Sequence, residues 1–284
     1  MKARIKAVAK RIMPKWAWNF LRHYRGITRD WLLNKGAAVC HIDYCGYRLC
    51  YSPGTILIKK IRQGKIFEEK MCKSIVGELN KSPEPVFLDV GANIGLISLY
   101  VAAKTPHVKI FAFEPGPHQN ELFNKTIAVN NLGRTINLSE KVLGNKNGVV
   151  TFISHFSQDC SGDGFIDTGR AGEPIPVEVP ITTIDHWWNE IGRPRVTVMK
   201  IDIEGAELWA LEGAVDFLQQ AKPTIFMEIE PKNLKVYPYT RDDIFKWLSA
   251  NDYALYTMDN HLCTEKNWDS FVGTYDTYVA RPIN

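Results

Sequence analysis

The run Val86-Phe-Leu-Asp-Val-Gly-Ala-Asn-Ile-Gly95 limits what this chain can fold into more than any other stretch. Pro83 and Pro85 precede it, an apolar segment opens it, and glycines with an asparagine close it. A short apolar run ended by glycines predicts a buried strand. Apolar residues resume at Leu96, Ile97, Leu99, Tyr100 and Val101, which predicts a helix directly after the loop. Strand, glycine loop and helix in succession start a parallel α/β unit. Such a loop lets backbone N–H groups approach a ligand at a helix N-terminus. A generic βα turn is the plainer reading, and the acid at position 114 argues against it.

Glu114 lies 23 residues after Gly91 and ends a second apolar run, Val108 to Phe113. An acid about 20 residues beyond a glycine loop is placed to accept two hydrogen bonds from a ribose diol. That spacing fits a nicotinamide cofactor or S-adenosylmethionine (SAM). A nicotinamide fingerprint requires G-x-G-x-x-G. This chain has Gly91-x-x-x-Gly95, with Ala92 and Asn93 between and Asp89 ahead. That arrangement resembles the SAM loop of class I methyltransferases.

A second cluster lies in Val196-Thr-Val-Met-Lys-Ile-Asp-Ile-Glu-Gly205. Its first half is apolar, as in a buried central strand. Strand alternation then predicts Lys200, Asp202 and Glu204 on one face. The next predicted strand ends in Glu228 and Glu230. Charges at the C-terminal ends of parallel strands lie where open α/β sheets bind ligands. Converging carboxylates raise one another's pKa unless a cation sits among them. SAM brings a sulfonium and an ammonium; Mg²⁺ bound by Asp202, Glu204 and Glu228 is the alternative. The plain reading is neutralisation by Lys200 and helix capping.

Around these motifs the patterning predicts strands near 86–90, 108–114, 135–142, 196–202 and 223–229. Helices are expected near 95–104, 117–131, 205–219 and 241–250, and further strands at 149–153, 175–181, 253–257 and 275–279. The small-polar stretch 157–166 reads as a lid or binding loop. Residues 37–51 read as a hairpin or bulged strand, and 55–80 as helix interrupted near Gly64. This divides the chain into an N-terminal extension, 1–80, and a nucleotide-type domain, 81–284. Phe67, Glu68 and Glu69 are read as first-turn residues of a helix, with carboxylates favoured by its dipole, or as reaching the cofactor.

Together, D-V-G-A-N-I-G at 89–95, F-E-P-G-P at 113–117 and K-I-D-I-E-G-A-E at 200–207 resemble the FkbM-type SAM-dependent methyltransferases. V-L-G-N at 142–145, T-T-I-D at 182–185, L-E-G-A at 211–214 and P-T-I-F-M-E at 223–228 support the likeness, which covers about 65–281. Asn145 stands where an acid is common in that family, and Thr126 where asparagine is common. The resemblance implies an α/β, Rossmann-like class I fold: a seven-stranded mixed sheet with helices on both faces and an antiparallel hairpin at its end. A small N-terminal α+β extension precedes it. The resemblance also implies methyl transfer from SAM, usually to a hydroxyl oxygen of a sugar, glycan or natural product. Asp89, Gly91, Ala92, Asn93 and Gly95 would surround the methionine portion, with Asp202 at the same site. Glu114 would hold the ribose, and Pro115 would lie against the adenine.

A hydroxyl acceptor must lose its proton, and Asp202, Glu204 and His155 are the candidate bases, with Lys200 beside them. His155 otherwise reads as a solvated loop residue. His186-Trp187-Trp188 comes after Thr183, a candidate N-cap, and reads as packing or as an aromatic platform for a sugar. Two other functions compete: a catalytically silent SAM-fold module that binds a partner, and a nicotinamide oxidoreductase.

Charge and cysteine usage bound the setting. The chain's net charge of +4 conceals a leader, residues 1–35, at +9, which leaves −5 for the rest. A basic leader on an acidic body does not point to nucleic acid. Trp16, Trp18, Phe20, Leu21 and Trp31 among its Lys and Arg predict either a surface helix packed on the body or contact with an anionic membrane. No apolar run reaches the length of a membrane span, and no apolar block of a cleaved signal comes after the leader. Six cysteines in 284 residues do not make a disulfide framework, and Cys40, Cys45 and Cys50 lack zinc-knuckle spacing. These features predict a cytoplasmic protein, peripheral at a membrane if the leader binds one.

Overall fold

The computed structural model describes residues 39–52, 55, 57–155, 162–169 and 173–283. The basic leader therefore lies outside the described residues. His41–Asn284 forms one compact unit.

The chain enters through a hairpin, β1 (Cys40–Tyr44) and β2 (Tyr47–Tyr51). Cys45 and Gly46 between them both have positive φ, 56° and 84°, the geometry of a two-residue primed turn that matches strand twist. Helices α1 (Leu57–Arg62) and α2 (Glu69–Leu79) come next, separated at Gly64 as the pattern predicts. They lead into β3 (Val86–Val90), α3 (Leu96–Lys104), β4 (Lys109–Phe113), α4 (Pro117–Val129) and β5 (Ile136–Ser139).

The predicted strand at 135–142 divides. β6 (Val142–Leu143) leaves the main sheet and joins β7 (Gly148–Ser154) and β8 (Ile175–Thr182) in a side sheet of order β6-β8-β7. Val142, Phe152, Val179 and Ile181 form its small core. The main path resumes with α5 (Ile184–Glu190) and β9 (Val198–Ile201). The single helix expected at 205–219 is two, α6 (Glu207–Glu212) and α7 (Val215–Ala221). At the break, a Cβ on Gly213 would run into the Gly144 carbonyl, so this close approach requires glycine. The remaining elements are β10 (Thr224–Glu228), α8 (Pro231–Leu234), α9 (Arg241–Ala250), β11 (Tyr253–Thr257), a short 3₁₀ turn at Trp268–Phe271 and β12 (Thr277–Pro282).

The main sheet has seven strands in the order β11-β12-β10-β9-β3-β4-β5. β12 pairs antiparallel with both neighbours, whereas the β10–β9, β9–β3, β3–β4 and β4–β5 pairs are parallel. β3 is buried along its whole length, as expected for a strand covered on both faces. Strand order reverses beside β3, between β4 and β9, so the C-terminal ends of β3 and β9 flank the switch point.

The hairpin docks onto α4 through side chains. Thr126 accepts a hydrogen bond from the Cys50 amide at 3.0 Å. Asn130 accepts from the Arg48 amide and donates to the Arg48 carbonyl, both at 2.9 Å. Thr126, which departs from the family pattern, thus serves hairpin docking. Among the described residues no helix is long and apolar enough to cross a membrane.

Candidate active site

A crevice of about 460 Å³ opens at the switch point, outside the ends of β3, β4 and β9. The glycine loop forms its floor, and two glycines are required there. Gly91 has φ 79°, and a Cβ on it would run into the Asp202 carbonyl. Gly95 has φ 88°, and a Cβ on it would run into the Phe123 ring. An L side chain is disfavoured at such φ even where space exists.

The loop amides turn inward. Gly91 and Ala92 both donate to the Phe113 carbonyl, at 3.0 and 2.9 Å. Gly95 donates to Ala92, Ile94 to the Asn93 side chain, and Asn93 to Glu114. The expectation that these N–H groups meet a ligand is therefore corrected: all five are committed within the protein. A pyrophosphate, which needs such donors, finds none of these five pointing at it, and this weighs against a dinucleotide.

Beneath the loop lies a buried ion cluster. Asp89 is fully buried and accepts from Ser98 Oγ at 2.7 Å. The Lys200 ammonium stands 3.4 Å from Asp89 and 3.6 Å from Asp202, and donates to the Gly91 carbonyl at 2.6 Å. Burial disfavours the charge on Lys200, but Asp202, Asp89 and Glu68 outweigh it and raise its pKa. The cluster ties the loop to the end of β9.

Glu114 is buried, and its oxygens accept from the Asn93 amide at 2.8 Å and the Gly116 amide at 2.7 Å. Burial pushes its carboxyl up to about 7, against the opposing effect of those two amides. A carboxylate has about four acceptor positions, so two remain for the hydroxyls of a diol. Next to it, Gln119 is buried with Oε1 lacking a hydrogen-bond partner, while its Nε2 donates to Asp163 at 3.1 Å. Asp163 also accepts from Ser154 Oγ at 3.1 Å and from the His155 amide at 2.6 Å. Gln119 and Asp163 line the crevice with Pro115 and offer acceptors suited to an exocyclic amine. The residues thus fit SAM: acceptors for ribose and adenine at one end, an acidic cluster at the other.

Lys200, Asp202, Glu204 and Glu228 all line the crevice, but not through strand alternation. β9 ends at Ile201, and Glu204 adopts a left-handed φ of 56° in the turn beyond it. Glu204 accepts from the Gly162 amide at 3.1 Å and from Asn233 Nδ2 at 3.0 Å. Asn233 Nδ2 also donates to Glu228 at 3.0 Å. A side-chain amide bridges these acids where the sequence suggests a metal. Among the described residues no group of three or more His, Cys, Asp or Glu is arranged to hold a metal ion.

His155 is buried rather than solvated. Its Nδ1 lies 3.5 Å from Asp163 and its Nε2 3.4 Å from Asp167. It stands behind Asp163 and is not among the crevice-lining residues. Asn145 donates to Glu212 at 2.8 Å and is likewise absent from the crevice lining. Trp187 and Trp188 pack edge-on against Phe111, Phe113 and Phe217 in the core, which removes the aromatic-platform reading. Part of the predicted lid, Gly162 to Phe165, does line the crevice; 156–161 lie outside the described residues. Gln119 and Asp163 do not stand out in the sequence. The small-polar composition of 157–166 is the one signal pointing toward Asp163.

The Methyltransferase FkbM domain model matches residues 89–255. Methyltransferase sdnD of Sordaria araneosa is 27% identical over 182 residues, covering 55% of this chain and 70% of that protein. The 2-O-methyltransferase NoeI of Sinorhizobium fredii is 25% identical over 170 residues, covering 54% of this chain and 66% of that one. A crystal structure of an FkbM methyltransferase from Methylobacillus flagellatus KT superposes with a TM-score of 0.45 at 16% identity, over 70% of this chain and 43% of that chain. With the family model spanning more than half its length, the chain belongs to the FkbM methyltransferase family of SAM-dependent enzymes.

Proposed function

We propose that the protein transfers the methyl group of SAM to a hydroxyl oxygen of a sugar, glycan or natural-product acceptor. The observation that carries this reading is the rim of the crevice. Asp202, Glu204 and Glu228 lie there with the Asn233 amide between the last two. Such a rim offers carboxylate acceptors to the hydroxyls of a neutral molecule and repels a phosphorylated one. A nucleic acid is disfavoured on the same ground. The 2-O-methyltransferase among the relatives supports oxygen as the acceptor atom.

Bound SAM supplies a methyl carbon already activated by its sulfonium. The chain's own residues orient the partners and handle the proton. Glu114 takes the ribose diol, and Gln119 with Asp163 takes the adenine amine. Asp202 accepts the proton of the acceptor hydroxyl, and Lys200 holds Asp202 in place. Glu204, with both oxygens engaged, orients the acceptor rather than deprotonating it. His155 acts behind Asp163 as a support for the adenine end. Magnesium at Asp202, Glu204 and Glu228 would have to break the Asn233 bridge, so turnover insensitive to a chelator is the expected outcome.

Deuterated-methyl SAM incubated with a panel of glycans and polyols tests the proposal. Label recovered on an acceptor oxygen supports it; label recovered only on nitrogen or carbon overturns it. The described cysteines Cys45, Cys50, Cys72 and Cys263 are free, which supports a reducing, cytoplasmic setting. Contact of residues 1–35 with an anionic membrane is a further part of the proposal, checked by salt-sensitive liposome association.

A further inference from the structure

Glu68 is a crevice carboxylate outside the motifs quoted above. It comes from the N-terminal extension and lines the crevice beside Leu57 and Phe67. It occupies the N-cap position of α2, yet its side chain makes no capping hydrogen bond. Its backbone is left-handed, φ 45°, a conformation a non-glycine residue adopts at a cost. A residue so placed turns its carboxylate to the crevice instead of to its own helix.

The charges acting on Glu68 come from several neighbouring elements. Asp202 and Lys200 stand at the end of β9, Lys60 on α1, and Asp276 ahead of β12. Cys72 lies one turn along its own helix. Lys200 is already shared by Asp89, Asp202 and the Gly91 carbonyl. Burial of the carboxyl pushes Glu68 up to about 7, and Asp202 adds to that push while Lys200 opposes it. The residue as a whole is exposed, and solvent at the rim screens part of the effect. A further cation arriving beside Glu68 favours its charged form.

The rest of the crevice indicates which cation that is, given the SAM reading on which this inference rests. Ribose and adenine belong at Glu114, Gln119 and Asp163. The amino-acid portion then runs the other way, past Gly91 toward Lys200 and Asp202. Leu96 and Ile97, the first residues of α3, line the crevice, and a helix N-terminus favours the methionine carboxylate. The ammonium is left for the acids. We propose that Glu68 binds the α-ammonium of the methionine portion of SAM, so that the N-terminal extension completes the cofactor site.

Calorimetry on the full chain with three ligands tests this. SAM and S-adenosylhomocysteine carry the ammonium, whereas 5′-methylthioadenosine has the same adenosine and sulfur without the amino acid. Glu68→Gln is expected to weaken SAM and S-adenosylhomocysteine alike, by about 10- to 100-fold, and to leave 5′-methylthioadenosine within about twofold. Glu68→Asp should recover part of the loss. At pH 7, S-adenosylhomocysteine binding should release more protons from wild type than from Glu68→Gln, read from two buffers of different ionisation enthalpy. Unchanged S-adenosylhomocysteine affinity in Glu68→Gln overturns the inference. So does an equal loss for 5′-methylthioadenosine, which would mean general damage, or a loss confined to SAM, which would put Glu68 at the sulfonium. Failure of wild type to bind any of the three overturns the SAM reading itself.

Discussion

Glu114 after β4 and Glu207 at the start of α6 are built alike and do different things. Both are buried, and both have a carboxyl pushed up to about 7 by that burial. Each is held by two backbone amides: Asn93 and Gly116 for Glu114, Ile203 and Gly205 for Glu207. Glu114 lines the crevice and Glu207 does not. The first presents spare acceptor positions to a ligand; the second spends itself closing the turn that carries Asp202 and Glu204. A strongly perturbed carboxylate marks a binding role only where a ligand can reach it.

The largest expected effects separate the two directly. Glu207→Ala leaves the Ile203 and Gly205 amides without their acceptor in a sealed turn and should cost about 3 kcal/mol of stability. Thermal melting measures it as a fall in Tm of roughly 6–12 °C. Glu114→Ala should instead weaken SAM about 100-fold by calorimetry with a much smaller fall in Tm, because water in the crevice can serve the freed amides. A Glu207 variant that binds SAM poorly while melting normally would break the comparison.

The neighbouring glycines sharpen it. At Gly205, φ is 103° and a Cβ would crowd the Tyr237 ring at 2.6 Å, so Gly205→Ala should cost about 2 kcal/mol. At Gly116 the nearest atoms are side-chain oxygens of Gln119, Asp163 and Glu114, at 2.7–2.8 Å. Those side chains can shift, so Gly116→Ala should melt near wild type and bind SAM about 10-fold more weakly.

A smaller effect comes from pH. In the ligand-free fold both acids keep their proton until about pH 7, whereas an unfolded chain releases it near the ordinary glutamate value of 4.5. The raised pKa therefore lowers stability as pH rises, with the cost complete above pH 7. Between pH 6 and 8 each acid should remove about 1 kcal/mol. Glu207→Gln should flatten its share of the slope with or without cofactor. Saturating SAM should flatten only the share of Glu114, if its ionised form accepts the diol as proposed. The smallest effect is expected at Asn145, bonded to Glu212 away from the crevice: Asn145→Ala should leave SAM affinity within about twofold.

The half of the site around Glu114 is legible in the sequence because it is local. A buried strand, two obligatory glycines and an acid at the end of the next strand succeed one another in the chain, and each has one geometric solution. The other half depends on contacts that no period announces. Alternation predicts one charged face through Glu204, but the strand stops at Ile201 and the chain turns left-handed. Two of the apparent metal ligands, Glu204 and Glu228, meet over Asn233, whose role depends on how α8 folds back. Asp163 reaches the crevice because the side sheet carries its loop there, and it encloses His155 with Asp167. Glu68 reads either as an ordinary first-turn acid or as one reaching the cofactor, and the sequence does not choose, since nothing in it shows a carboxylate turned away from its own helix.

The inward bonding of the glycine loop has a consequence for selectivity in a crowded cell. With its five amides bonded to Phe113, Glu114 and the loop itself, the loop acts as a mould and carries little pull for anions. Nucleotides that share the adenosine of SAM but bear phosphates gain no grip from it, and they bring negative charge toward Asp202 and Glu68. ATP is therefore expected to compete weakly with SAM for the crevice.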